Sequence, residues 1–312
     1  MTEPLAKTRS DDDHTPTSVR VAIVLYENSL DELWRCLRAV RRTVENAIAD
    51  QANSLGVLCI AIGDCSDRAL LGEKDLDDLR DGLDGSVSVE YRWFAKNLGH
   101  SAACNALAED AREDTLLFLN PDTYVAPNLL TTLVRSLRTP DVVAADARQI
   151  PCEHPKHYDP VVGDQSWASG ACLLVRTFAY RQVEGFDAAT FPSYVNDVDL
   201  SWRLRLRGGR VVHEPRAVLF HDKRLDRTAG VRPTRIELYE GLLGRLLLAT
   251  KYDRADIVRE TIDVIREHGS EEQKRAVADF ERRRKRKELP SAVPGGAAVA
   301  EFVDGEYGRR RF

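Results

Sequence analysis

Two carboxylates and one histidine in this chain are spaced for chemistry. Residues 191–221 read FPSYVNDVDLSWRLRLRGGRVVHEPRAVLFH. The stretch opens with an aromatic loop carrying Asn196-Asp197. It continues as an amphipathic helix over about residues 198–207, which Gly208-Gly209 stops, because glycine takes the left-handed conformation that ends helices. A β-branched run then leads through Pro215 to His221. A carboxylate at a helix start and a histidine at a strand end suit a site where one takes a proton and the other holds a metal. The plainer alternatives are a carboxylate that complements the helix dipole and a histidine making ordinary hydrogen bonds. Asp199 competes with Asp197, and its spacing to Arg203 favours a pair with that residue.

A third acidic position follows the apolar run LLFL, in Asn120-Pro121-Asp122. A carboxylate there can bind Mg²⁺ or Mn²⁺ bridging two phosphates, since hard cations take oxygen ligands. The same residues also suit a strand-end Asx turn. Asp64, in Gly63-Asp64-Cys65-Ser66-Asp67, can accept from a nucleobase or stabilise its own turn. Asn97-Leu98-Gly99 can hold a nucleotide by backbone groups or be a tight strand-to-helix turn; there is no GxGxxG or P-loop. Cys152, His154 and His157 are three candidate ligands whose spacing could bind zinc, though only three fall in this proline-rich loop.

The elements that must position these residues alternate. Strands are expected at 19–26, 57–62, 87–94, 116–119, 142–145 and 167–175, and at the β-branched run ending on His221. Helices are expected at about 30–40 behind an Asn28-Ser29 cap, and at 102–111, 127–137 and 178–183. Residues 68–85 and 151–163 read as loops. This is an α/β pattern: a mostly parallel central sheet with helices on both faces and ligands beyond the strands' carboxyl ends. Three further helical runs, 235–251, 255–268 and 271–289, form a C-terminal helical appendage. The expected division is an arm at 1–18, a catalytic domain at 19–225, a helical region at 226–289 and a flexible tail at 290–312.

Composition bounds the rest. The 312 residues are 43% hydrophobic and 30% charged, enough for a large core. With 45 Lys plus Arg against 50 Asp plus Glu, the net charge of −5 argues against a general nucleic-acid binder. Six cysteines without a Cys-x-x-Cys pair read as buried reduced thiols of a cytoplasmic protein. The polar N-terminus has no apolar signal core, and no stretch approaches the ~20 apolar residues of a membrane helix. The basic run at 282–287 is a solvated helix face in the first reading. Peripheral contact with an anionic membrane face is the second.

Taken together, VAIVLYEN, KNLGHSAACN, LFLNPDT, WASGACLLVR with VEGFD, and NDVDLSWRLRLRGGRVVHEPRAVLFH resemble an inverting family 2 glycosyltransferase of the GT-A fold. The rhamnosyltransferase-like branch is closest in texture, and the resemblance covers about residues 19–225. It implies transfer of a sugar from a UDP-, dTDP- or GDP-linked donor to a hydroxyl of a sugar, lipid-linked or small-molecule acceptor, with Mg²⁺ or Mn²⁺. By resemblance Asp197 is the general base, and Asp122 and His221 hold the metal. Tyr26, Asn28, Asp64, Asn97, Gly99, Asn120 and Gly170 lie with the donor. Two departures stand out. Gly63-Asp64-Cys65-Ser66 replaces the family's Asp-Asn before serine, and Asn196-Asp197 replaces its Glu-Asp. Losing that neighbouring negative charge is expected to lower the pKa of Asp197. The departures also leave a non-catalytic relative that binds a nucleotide sugar or a protein partner as the alternative. The helices after residue 226 are read as packing on the catalytic domain, with a homodimer contact as another use.

Overall fold

The sheet is built around strands that are buried on both faces. The structure, a computed structural model, describes residues 18–50, 55, 57–81, 83–223 and 233–311. The expected arm therefore lies almost wholly outside the described residues, as does the expected boundary at 225/226. The strands are β1 (Ser18–Leu25), β2 (Val57–Asp64), β3 (Val87–Trp93), β4 (Thr115–Leu119), β5 (Thr123–Val125), β6 (Val142–Ile150), β7 (Cys172–Arg176) and β8 (Arg210–His221). The helices are α1 (Leu30–Ala49), α2 (Glu73–Arg80), α3 (His100–Ala108), α4 (Leu129–Ser136), α5 (Thr177–Gln182), α6 (Asn196–Leu206), α7 (Arg235–Lys251), α8 (Ala255–His268) and α9 (Glu271–Arg286).

The strand order is β3-β2-β1-β4-β7-β6-β8-β5. β3, β2, β1 and β4 run parallel, as the alternating pattern requires. β7 is antiparallel to both β4 and β6, β6 and β8 are parallel, and the short β5 lies antiparallel on β8. Alternate residues of one strand feed two cores. Val21 and Ile23 pack with Leu33 and Leu37 of α1 and with Leu130 of α4. Ala22 packs on the other face with Cys104 of α3, Tyr180 of α5 and Leu200 of α6. Burial on both faces explains the nearly continuous apolar run in β1, interrupted at Arg20, and a fully buried Val, Ile or Leu side chain contributes about 1.5–3 kcal/mol. The edge strand β3 alternates instead.

A third core joins the C-terminal helices to α6. Trp202 of α6 meets Tyr252 edge-on at 4.9 Å, within a cluster of α7, α8 and α9 side chains. Lys251 reaches from α7 to pair with Asp187 and Asp199, each at 2.7 Å. Asp199 also pairs with Arg203, as its spacing predicts.

Several expectations need correction. Residues 73–80 form helix α2 rather than loop, because Leu76 and Leu79 give an otherwise charged segment one buried face. In the apolar run 167–175 only the end pairs as β7; Trp167 leaves the sheet for the third core. β6 extends to Ile150, five residues beyond the expected end. The expected flexible tail packs down: Phe302 is buried, Tyr307 lies edge-on to Trp167, and Arg311 pairs with Glu153. Of the six cysteines only Cys152 is partly exposed, and all are free thiols. No described helix is long and apolar enough to cross a membrane.

Candidate active site

A cleft of about 360 Å³ opens beyond the carboxyl ends of β1, β2 and β4. Tyr26 and Asn28 line it from the turn after β1, Asn97 and Gly99 from the entry to α3, and Asn120 and Asp122 from the turn after β4. This is where parallel sheets place ligands.

Local hydrogen bonds shape these turns. Tyr26 N–H donates to Asn28 Oδ1 at 2.9 Å, and Gly99 N–H donates to Asn97 Oδ1 at 2.9 Å. Gly99 has φ of 76°, and a Cβ there would stand 3.1 Å from the Pro192 carbonyl, so the turn requires glycine. Ser101 N–H donates to that same carbonyl and Ser101 Oγ–H to the Phe191 carbonyl. The start of α3 is thus tied to the 191–193 loop, which brings Ser193 to the cleft wall.

Asp122 and His221 meet because β5 pairs with β8, with Thr123 opposite His221. His221 Nε2 lies 3.4 Å from Asp122 Oδ2, and Nδ1 lies 2.8 Å from Gln149 Oε1. Asp122 Oδ1 is buried and has no hydrogen-bond partner among the described residues. A buried carboxylate oxygen without a partner is costly unless something positive meets it. One carboxylate and one imidazole fit Mg²⁺ or Mn²⁺, which commonly take one or two protein ligands and complete their shell with phosphate oxygens and water. Among the described residues no group of three His, Cys, Asp or Glu side chains could hold a metal by itself. That includes Cys152, His154 and His157; His154 packs edge-on against Trp167 instead.

Asp197 stands in the first turn of α6, after Val195 turns the chain at φ of 66°. Its Oδ2 accepts from Gly170 N–H at 2.8 Å and its Oδ1 from Val198 N–H at 2.9 Å. A Cβ on Gly170 would make ordinary van der Waals contact with Oδ2, at 3.4 Å. Burial raises the pKa of Asp197 above the usual carboxylate value, and the amide hydrogen bonds offset part of that rise. Desolvation sets the direction of the shift here.

Asn196 does not face the cleft. Its Nδ2 donates to Ser101 Oγ at 2.9 Å and lies 3.2 Å from His100 Nδ1, so it pins α6 to α3. Burial pushes the His100 pKa down to about 4, which keeps its imidazole neutral at physiological pH. Asp64 also differs from expectation. It is fully buried, and its carboxylate accepts from Ser66 N–H, Leu70 N–H and the Tyr91 hydroxyl. Three internal donors occupy it, and Cys65 takes its place on the cleft wall. Cys65, His100, Tyr124 and Asp222 are cleft residues that sequence reasoning missed, while Ser193 belongs to the aromatic loop it singled out. His100 and Asp222 directly follow predicted site residues, Gly99 and His221, and that adjacency was the available signal.

Residues 21–174 match the family model described as Glycosyl transferase family 2. The N-acetylglucosaminyl-diphospho-decaprenol L-rhamnosyltransferases of two Mycobacterium tuberculosis strains are each 30% identical over 174 residues, covering 41% of this chain and 56% of the relative. The chain thus spans a little over half the length of these relatives. Among solved structures, GalNAc-T7 with UDP, GalNAc and Mn²⁺ superposes with a TM-score of 0.58 at 14% identity, over 88% of this chain and 56% of that one. The mannosyltransferase PcManGT of Pyrobaculum calidifontis, with GDP-Man and Mn²⁺, gives 0.52 at 14% identity over 92% and 79%. S. aureus TarS gives 0.53 at 11% identity over 85% and 55%. At such identities these likenesses show the fold.

Proposed function

We propose a reaction on the premise that this chain carries a family 2 glycosyltransferase domain of GT-A fold and is a glycosyltransferase. The reaction is single-step transfer of a sugar from a nucleoside diphosphate sugar to an acceptor hydroxyl, with inversion at the anomeric carbon. The observation that carries it is the Asp122–His221 pair, with Asp122 Oδ1 lacking a hydrogen-bond partner among the described residues, beside the strand-end cleft. The non-catalytic alternative has no such observation in its favour.

In this reading Tyr26, Asn28, Asn97, Gly99 and Asn120 cradle the donor. Asp122 and His221 hold a divalent cation, which supplies charge neutralisation for the departing diphosphate. Asp197 takes the proton from the acceptor hydroxyl. The hydroxyl oxygen forms its bond to the anomeric carbon on the face opposite the diphosphate. The carbon–oxygen bond to the diphosphate breaks, and the electron pair leaves with it. Gly170 N–H orients the Asp197 carboxylate, and burial of that carboxylate strengthens it as a base.

The donor class is UDP-, dTDP- or GDP-linked. Likeness to the mycobacterial relatives favours a rhamnosyl group and a lipid-linked sugar diphosphate as acceptor. The test is incubation of the protein and Mn²⁺ with each donor and a prenyl diphosphate-linked N-acetylglucosamine, followed by NMR of the product's anomeric centre. An inverted glycoside supports the reading. A retained configuration, or no product with any donor, overturns it.

A further inference from the structure

Gln149 lies on β6, nearly fully buried, with its carboxamide between two side chains. Its Nε2 donates to Ser169 Oγ at 2.8 Å, and its Oε1 faces His221 Nδ1 at 2.8 Å. A carboxamide oxygen can only accept. Nδ1 of His221 therefore carries a hydrogen, and in the neutral ring Nε2 keeps its lone pair. That lone pair faces Asp122 Oδ2, another acceptor, at 3.4 Å. In the neutral ring these two acceptors repel unless a metal cation or a proton lies between them. With the carboxamide reversed, the hydrogen would sit on Nε2, and the same contact would be an ordinary histidine–carboxylate hydrogen bond. One buried amide thus decides between a ligand pair and a closed pair.

The amide belongs to a wider buried network. Ser169 N–H donates to Asp146 Oδ2 at 2.8 Å, and Asp146 is further held by Lys156, Gln165 and His213. The next residue, Gly170, donates to Asp197. The backbone at 169–170 therefore sits between the metal-side histidine and the proposed base.

We propose that Gln149 is a positioning residue that holds His221 as the Nδ1–H tautomer, so that Nε2 and Asp122 jointly face a divalent cation. Its consequence for metal binding rests on the reading of Asp122 and His221 given above; the tautomer itself does not. Outer partners of metal-binding histidines act in this way, and removing them typically weakens metal affinity 10–100-fold.

Two readouts test it. The first is ¹⁵N NMR of histidine-labelled, metal-free protein, with His221→Ala assigning the signal. A hydrogen on Nδ1 in wild type and in Gln149→Glu, and a tautomer mixture in Gln149→Leu, supports the proposal. A hydrogen on Nε2 with none on Nδ1 in wild type overturns it. The second is titration with Mn²⁺ alone, followed by electron paramagnetic resonance. Gln149→Leu should bind about 10–100-fold more weakly, while Gln149→Glu, which still accepts from Nδ1–H, restores binding. Unchanged affinity in Gln149→Leu overturns the proposal. If Gln149→Leu fails to fold, the wild-type tautomer and Gln149→Glu decide it. If His221→Ala binds Mn²⁺ as tightly as wild type, the metal reading falls, and the tautomer alone decides the role of Gln149.

Discussion

Gly170 N–H donates to Asp197 Oδ2 across 2.8 Å, fixing the carboxylate of α6 against the backbone that enters β7. The proposed base is thus oriented by main chain, which side-chain substitutions nearby cannot remove. Asp197→Asn should keep donor binding and lower transfer by about 10²–10⁴-fold, the usual contribution of a general base. A steady-state assay with parallel nucleotide titration checks both.

The raised pKa of Asp197 has two pH consequences. The base must be ionised, so the acid limb of kcat/KM should rise above the ~3.9 of an ordinary aspartate. For stability, the folded pKa exceeds the unfolded one. The contribution of the carboxyl is therefore fully present below the unfolded pKa and is lost as pH rises through the folded pKa. Asn cannot ionise, so the Tm of Asp197→Asn relative to wild type should increase from pH 4 to pH 7. A constant difference would contradict the desolvated carboxylate.

Asp64 holds a turn in this structure. Asp64→Asn would aim an amide at backbone donors, and a buried donor without an acceptor costs about 1–3 kcal/mol. Denaturant unfolding should show that loss, with nucleotide affinity nearly unchanged. A large loss of affinity at constant stability would instead give Asp64 a direct role with the nucleobase.

Lys251 joins the C-terminal helices to the catalytic core through Asp187 and Asp199. Lys251→Met leaves two carboxylates without their shared partner, and breaking a buried pair in this way costs about 3–5 kcal/mol. Unfolding should stay a single transition with a lower midpoint. Two separate transitions would show that the helices fold as an independent unit.

Gly99→Ala tests the turn beside the cleft. At φ of 76° and ψ of 159°, a region essentially confined to glycine, alanine costs about 1–3 kcal/mol, and its Cβ crowds the Pro192 carbonyl. Donor KM should rise along with the drop in Tm, because Pro192 and Ser193 would have to shift.

Much of this was legible in the sequence because periodicity and turn residues report local structure. The buried strands β1 and β4, and the carboxyl-end positions of Asn97, Asn120 and Asp122, follow from apolar runs broken by Asn, Asp, Gly and Pro. What sequence could not show depends on distant contacts. Gln149 approaches His221 only because β6 pairs with β8. Phe302 and Tyr307 look like tail residues until α6 and Trp167 supply their partners. Asp64 reads as either a nucleobase acceptor or a turn residue until Tyr91, on the neighbouring strand, closes over it.

The most direct test of the central claim is a thermal-shift series with UDP, dTDP and GDP, each with and without Mn²⁺, on wild type and Asp122→Asn. A nucleotide at about 100 times its Kd should stabilise wild type by roughly 2.7 kcal/mol. The account predicts that one nucleotide gives this shift only with Mn²⁺, and that Asp122→Asn abolishes it. A shift that ignores Mn²⁺, or that survives Asp122→Asn intact, would contradict a cation held by Asp122 and His221.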